Sequence, residues 1–235
     1  MTMSEISKTA DKAISILFQL ARLDAATPQQ LALTTGVNRT VSQRLLSTLL
    51  ARDFVARADR EYARSYRLRQ LAQLVQPRLR RAVEPQAHLL SEQTGETVVF
   101  QIPDGGDLVV LVEATQPREV SLHVRHEVGS RSPITQSASG LAILAALSPA
   151  EVTAFLRRGP SPELAARLDS IRADGYARTS NELQQGVSGL ATAVRDGDEV
   201  VGSLAILVPT SRSTELDGYR RDMDRAVARI ERALA

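Results

Sequence analysis

Residues Thr27 to Leu50 read TPQQLALTTGVNRTVSQRLLSTLL. The stretch predicts two helices joined by a tight turn. Thr27 is placed to cap the first helix, and Pro28 suits its first position, where a missing N–H costs nothing. Leu31 and Ala32 face inward before Thr35-Gly36-Val37 breaks the run, with Gly36 free to take a left-handed conformation. Asn38 can cap the second helix through its side-chain oxygen. Val41, Leu45, Thr48 and Leu49 then fall on one stripe, at the spacing of a helix packed on a core. The opposite stripe carries Arg39, Thr40, Gln43 and Ser47, with Ser42 and Arg44 on its flanks. Such groups hydrogen-bond base edges and phosphates: arginine to guanine or phosphate, glutamine to adenine, hydroxyls to either. Helix, short turn with glycine, then a helix with a donor-rich outer face is the helix-turn-helix pattern. A solvated helical hairpin shows the same polar face, so this stretch alone leaves both readings open.

Charge distribution favours the first. The chain has 235 residues, enough for two domains of ordinary size, and a net charge of +2. Residues 1–80 carry 13 Lys+Arg and 6 Asp+Glu, a balance of +7, while residues 81–235 carry 16 and 21, a balance of −5. A basic front and an acidic rear suit a DNA-binding module joined to a sensing or assembly domain. The chain has no cysteine, which excludes disulfides, thiolate catalysis and cysteine-ligated metal. Lys8 and Lys12 are the only lysines, so the rear has none for a Schiff base or a phosphate loop. There is no run of about 18 apolar residues and no signal-peptide core, so a soluble, cytoplasmic protein without a membrane partner is expected.

Outward from the motif, Ala10–Leu23 predicts a helix with Ile14, Leu17, Phe18 and Ala21 as its apolar face. After the motif, Phe54–Arg57 and Ser65–Leu68 read as two short strands around Asp59-Arg60-Glu61. That is a wing, with Arg57, Arg60, Arg64 and Arg67 chemically suited to phosphates. Pro77 and Pro85 interrupt an otherwise helical stretch from Gln70 to Gln93. The expected organisation is a DNA-binding domain at 1–68, a linker at 69–77 and a rear domain at 78–235. In the rear, Glu96–Ile102 and Leu108–Ala114 form a hairpin, and Val120–Arg125 a third strand. Helices are expected at Ser137–Leu147, Pro149–Leu156 and Pro162–Asp174. A short strand near Tyr176, a second hairpin (Leu190–Arg195 and Val200–Val208) and a closing helix, Thr214–Leu234, complete the chain. Hairpins separated by helices predict an α+β domain with an antiparallel sheet.

Several blocks in order resemble one family. Gly36 to Leu46 looks like the recognition helix of the IclR family of bacterial transcriptional regulators. Thr94-Gly95-Glu96-Thr97-Val98 is similar to the opening of its sensor domain. Val128-Gly129-Ser130-Arg131-Ser132-Pro133 followed by Ala138-Ser139-Gly140-Leu141-Ala142 resembles its most characteristic block. Asp174-Gly175-Tyr176, Glu182, Gly186-Val187, Pro209 and Arg212 continue in register. The resemblance implies a winged helix-turn-helix domain, a linker helix and a GAF-like sensor domain that binds a small molecule. It also implies homodimers or homotetramers on double-stranded operator DNA. DNA contacts are expected from Arg39, Thr40, Ser42, Gln43, Arg44, Ser47, Arg57, Arg60 and Arg64.

Small-oxoacid sensors of the family use backbone amides at positions matching Ala138 and Ser139, and polar side chains at those matching Thr179, Gly189, Ala205 and Leu207. Here only Thr179 keeps a polar group. The expected effector is therefore an organic acid, aromatic or otherwise partly apolar. Its carboxylate would lie on Ala138, Ser139 and Gly140, with Ser139 opening the helix and an apolar wall at Gly189, Ala205 and Leu207. A collapsed sensor with no ligand is the alternative. An enzyme finds little support. His123 and His126, three apart on a continuing strand, point to opposite faces, and His88 sits on a helix, so neither metal nor cofactor is expected. No G-x-S-x-G elbow occurs near Ser137 and Ser139. An architectural DNA-binding protein is disfavoured by the acidic rear.

Overall fold

The computed structural model describes residues 6–115, 126–157 and 159–235. The expected strand Val120–Arg125, with His123, lies outside the described residues. The chain divides into two compact units, 1–77 and 78–235.

The first unit runs α1 (Lys8–Arg22), β1 (Ala25–Ala26), α2 (Pro28–Thr35), α3 (Arg39–Ala51), β2 (Val55–Ala58), β3 (Glu61–Arg64) and α4 (Tyr66–Gln73). Thr27 and Gln30 close a capping box on α2, with Pro28 in the first turn, and Gly36 ends it at φ 67°. Asn38 caps α3, its side chain accepting from the Thr40 amide at 2.9 Å. The helices pack through Ile16, Leu20, Leu31, Leu45, Leu46 and Leu49 onto Val55 and Tyr62 of the small β1-β3-β2 sheet.

Two expectations fail here. The buried face of α1 is Ile16 and Leu20, with Leu17 only partly covered, whereas Ile14 and Phe18 are 51% and 70% exposed. This helix carries two i, i+4 pairs of large apolar side chains, Ile14/Phe18 and Ile16/Leu20, and periodicity cannot say which one meets the core. The second wing strand also ends earlier than expected. The two-residue turn at Asp59-Arg60 pairs Ala58 with Glu61, so the hairpin is complete at Arg64. Ser65 then accepts from the Arg67 amide and starts α4, so Ser65–Leu68 is not strand.

The second unit opens with α5 (Pro77–Thr94), β4 (Thr97–Asp104), β5 (Asp107–Ala114) and β6 (Arg131–Pro133). Pro77 takes the first position of α5, and Pro85 sits within the helix without ending it. Next come α6 (Ala138–Ala146), α7 (Pro149–Leu156) and α8 (Pro162–Asp174). The unit closes with β7 (Ala177–Ser180), β8 (Val187–Asp196), β9 (Glu199–Pro209), a 3-10 helix (Thr210–Tyr219) and α9 (Arg220–Leu234). The expected closing helix is thus two elements, with a tighter first half. Among the described residues these strands pair antiparallel, in the order β6-β5-β4-β9-β8-β7.

Strand alternation splits this sheet between two cores. Val98, Phe100, Leu190, Leu204 and Ile206 face α5 and α9, whose Leu90, Met223 and Ile230 complete that layer. Val99, Ala191 and Ala205 face α6 and α8, met by Leu141, Leu144 and Leu168. Glu96, 2% exposed in its side chain, is held at the sheet margin by Arg212 of the 3-10 helix. Its two oxygens accept from Arg212 Nε and Nη2 at 2.9 and 2.7 Å. That fork holds the Arg212 guanidinium above its ordinary pKa, the hydrogen bond to Glu96 being the main cause.

Candidate functional site

On α3 the side chains of Arg39, Thr40, Gln43, Arg44, Ser47 and Thr48 are exposed. The buried stripe is Ser42, Leu45, Leu46 and Leu49. Two positions of the sequence reading exchange roles. Thr48 turns outward, its hydroxyl donating to the Arg44 carbonyl at 3.1 Å. Ser42 is fully buried and its Oγ has no partner, so it cannot reach DNA. Its small side chain sits where the helix meets the core, and polarity misled the assignment. Ser47 similarly spends its hydroxyl proton on the Gln43 carbonyl, at 2.9 Å, leaving its lone pairs outward.

The wing arginines differ from one another. Arg60 stands exposed in the hairpin turn. Arg57 is exposed but lies over the Tyr62 ring at 5.6 Å and donates from Nε to the Asp59 carbonyl at 3.0 Å. Arg64 reaches back, donating to the Ala21 carbonyl and to Asp24 Oδ1, both at 3.3 Å. It braces the wing on the end of α1. The geometry thus makes Arg60 the wing side chain best placed for a phosphate.

In the second unit a cavity of about 30 Å³ lies at the start of α6. Its walls are Gln101, His126, Ser137, Ala138, Ser139, Thr179, Leu183, Gln184, Val187, Gly189 and Leu207. The structure brings five of the expected residues together here: Ala138, Ser139, Thr179, Gly189 and Leu207. Two do not belong. Ala205 is sealed in the α6-side core. Gly140 is a packing glycine, because a Cβ there would stand 1.8 Å from the Ile134 carbonyl oxygen. Its amide is also occupied, donating to Ser137 Oγ at 3.1 Å. Ser137, not Ser139, is therefore the cap that opens α6. The Leu141 amide bonds back to the Ser137 carbonyl. That leaves Ala138 and Ser139 as the first-turn donors beside the cavity.

Gly189 makes the cavity possible. A methyl group there would touch Leu207 Cδ2 at 3.1 Å, Ala138 Cβ at 3.4 Å and Thr179 Oγ1 at 3.6 Å. The loop carrying Leu183 and Gln184 is held at its ends. Asn181 Oδ1 accepts from the Gly186 amide at 2.7 Å, and Glu182 takes a two-pronged bond from Arg167, both prongs 2.7 Å. Sequence reasoning missed Gln101, His126, Leu183, Gln184 and Val187. The signal for Gln101 was present: a glutamine in register with Thr97 and Val99 on an inward-facing strand. Burial pushes the His126 imidazole below its usual pKa, and the Glu113 carboxylate opposes this. His88 is exposed on α5. Among the described residues no three His, Asp or Glu side chains gather as a metal site.

Comparison with known proteins agrees with both halves. Residues 9–59 match the IclR helix-turn-helix domain, and residues 71–232 match the bacterial transcriptional regulator IclR C-terminal domain. The HTH-type transcriptional regulator KipR of Bacillus subtilis is 24% identical over 228 residues, 91% of this chain and 90% of its own. The Pca regulon regulatory protein of Pseudomonas putida is 25% identical over 207 residues, 82% of this chain and 70% of its own. The fold superposes on the IclR of Thermotoga maritima with a TM-score of 0.82 at 21% identity, covering 96% of this chain and 98% of that one. It also superposes on an IclR homologue from Microbacterium hydrocarbonoxydans complexed with 4-hydroxybenzoate, with a TM-score of 0.78 at 19% identity over 97% and 99% of the two chains. No helix among the described residues is long and apolar enough to cross a membrane. With family models matching both units in order, the chain belongs to the IclR family of DNA-binding transcriptional regulators, a family of regulators and not of enzymes.

Proposed function

We propose that this regulator changes its DNA affinity on binding a small, partly apolar organic acid in the cavity at the start of α6. One observation carries the reading: Ala138 and Ser139, in the first turn of a buried helix, line a cavity whose other walls include Leu207, Val187 and Leu183. Helix N-termini favour anions through unpaired N–H groups and the partial positive charge of the helix dipole. The apolar walls suit the carbon attached to the carboxylate of an acid less polar than a two- or three-carbon oxoacid. The 4-hydroxybenzoate held by the Microbacterium hydrocarbonoxydans homologue supports that class. Thr179, 9% exposed, offers a hydroxyl beside the amides.

In the DNA-bound form, α3 lies in the major groove with Arg39, Thr40, Gln43, Arg44 and Ser47 toward bases and phosphates, and Arg60 on the backbone. One small winged unit makes few contacts, so we infer a homodimer or homotetramer on paired half-sites in the cytoplasm. Light scattering of the purified chain reads that state directly; a monomer at the concentrations that bind DNA contradicts it.

A thermal-shift screen with benzoate, 4-hydroxybenzoate, pyruvate and glyoxylate tests the ligand class. At 100 times Kd, a bound acid stabilises by about 2.7 kcal/mol. That corresponds to roughly 5–10 °C for a chain of this size. The aromatic acids should shift the transition most. Tightest binding by glyoxylate or pyruvate overturns the class. The cavity's small volume gives a second reading some weight: a sensor unit closed to ligand, for which no acid shifts the transition.

A further inference from the structure

The α6 cavity is too small for a whole aromatic acid. About 30 Å³ holds one or two waters. A group that fills so small a space touches all of its walls, and a carboxylate has about that size.

One wall is unfinished. Gln101 is 3% exposed, and its Nε2 has no hydrogen-bond partner. Among the described residues it is the cavity-lining side chain with a buried, unpartnered polar atom. An unpaired buried N–H is destabilising, and such groups are rare unless something else satisfies them. Among the described residues no lysine or arginine lines the cavity. An anion there is held by neutral donors: the Ala138 and Ser139 amides, the Gln101 side-chain amide and the Thr179 hydroxyl among them.

The cavity also has a neighbour. An open pocket of about 460 Å³ shares His126, Leu183 and Gln184 with it and continues over Glu127, Ser130, Arg131 and Ser132. Among the described residues Arg131 is the cation there, and it is already taken. It donates to Asp104 Oδ2 at 2.6 Å and to Asp107 Oδ2 at 3.4 Å. The outer pocket therefore competes poorly for a carboxylate, although it has room for a ring. Ser132 Oγ, buried and unpartnered, adds a hydroxyl on its wall.

We propose that Gln101 is a second donor to the effector's carboxylate, which alone enters the inner cavity, while the rest of the acid passes His126, Leu183 and Gln184 into the outer pocket. This rests on the cavity being the effector site. It adds a specificity residue and an orientation. The ligand class is a monocarboxylate with no substituent flanking its acid group, as in benzoate, and substituents far from the acid are tolerated because they lie in the open pocket.

Benzoate is the test probe, titrated by calorimetry and by amide NMR into the full-length wild type and the variants Gln101→Leu and Gly189→Ala. In the wild type, benzoate should shift the Ala138 and Ser139 amides and the Gln101 side-chain amide together. Gln101→Leu should weaken benzoate at least about ten-fold. The same variant removes an orphaned polar group, so its ligand-free melting temperature should hold or rise. A residue with only a structural role would not lose ligand affinity while keeping or gaining stability. Gly189→Ala, which intrudes on the cavity itself, should abolish binding. If Gly189→Ala abolishes binding but Gln101→Leu binds like wild type, the role of Gln101 is overturned and the effector site stands. If benzoate fails to bind the wild type, or binds all three proteins alike, the cavity is not a carboxylate site and both readings fall.

Discussion

Arg60 and Arg64 are four residues apart on one hairpin, yet their surroundings separate their roles. Arg64 is occupied by Ala21 and Asp24, and Arg60 projects from the turn. Arg60→Ala should weaken binding to all DNA sequences alike and reduce the log–log salt slope by about 1, as expected for one lost phosphate contact. Arg64→Ala should leave the slope unchanged and cost at most about 1 kcal/mol of stability, because the pair it breaks is exposed. Filter binding at several salt concentrations checks both, and a slope change in Arg64→Ala alone would reverse the assignment. The sequence could not separate them. Both are arginines beside a turn, and only the folded wing shows which one bends back. Ser42 teaches the same lesson from the other side: its position on the flank of α3 suited a DNA contact, and the packing of α3 on the core buries it.

Elements whose ends carry strong local chemistry were legible. The Thr27 capping box, the left-handed Gly36 and the Asn38 cap fix α2 and α3 from short-range rules alone. Alternation and turn residues likewise gave the β4–β5 and β8–β9 hairpins. Contacts made at long range were not legible. The start of β6 pairing with β5, the choice of apolar face on α1, and the splitting of the last helix depend on what packs against each. The Glu96–Arg212 fork joins residues 116 positions apart. Both positions stood out in the sequence, but nothing there paired them. This fork ties the corner between α5 and β4 to the 3-10 helix. Arg212→Met should destabilise the second unit by about 3–5 kcal/mol, since it strands a buried carboxylate, while Arg212→Met with Glu96→Gln should recover part of the loss. Denaturant titration measures this; equal loss in the single and double variants would show that packing, not the charge pair, matters.

The chain as a whole joins a basic unit that matches a DNA-binding domain to an acidic unit, and the proposed function requires that the two communicate. A ligand can shift DNA affinity only by its differential affinity for the DNA-competent and DNA-incompetent states. Coupling of that kind is typically about 1–3 kcal/mol, or 5- to 150-fold in affinity. The candidate site was partly legible in the sequence: Ala138, Ser139 and Gly189 were expected together and do line one cavity, while its small size and its open neighbour emerged only from the fold. The most direct measurement uses a DNA duplex selected from a random pool by the ligand-free wild type. Its affinity is measured with and without saturating benzoate, for the wild type and for Gly189→Ala. A shift of 5-fold or more in the wild type that disappears in Gly189→Ala is the predicted result. An equal shift in both proteins, or none in the wild type, would contradict the account.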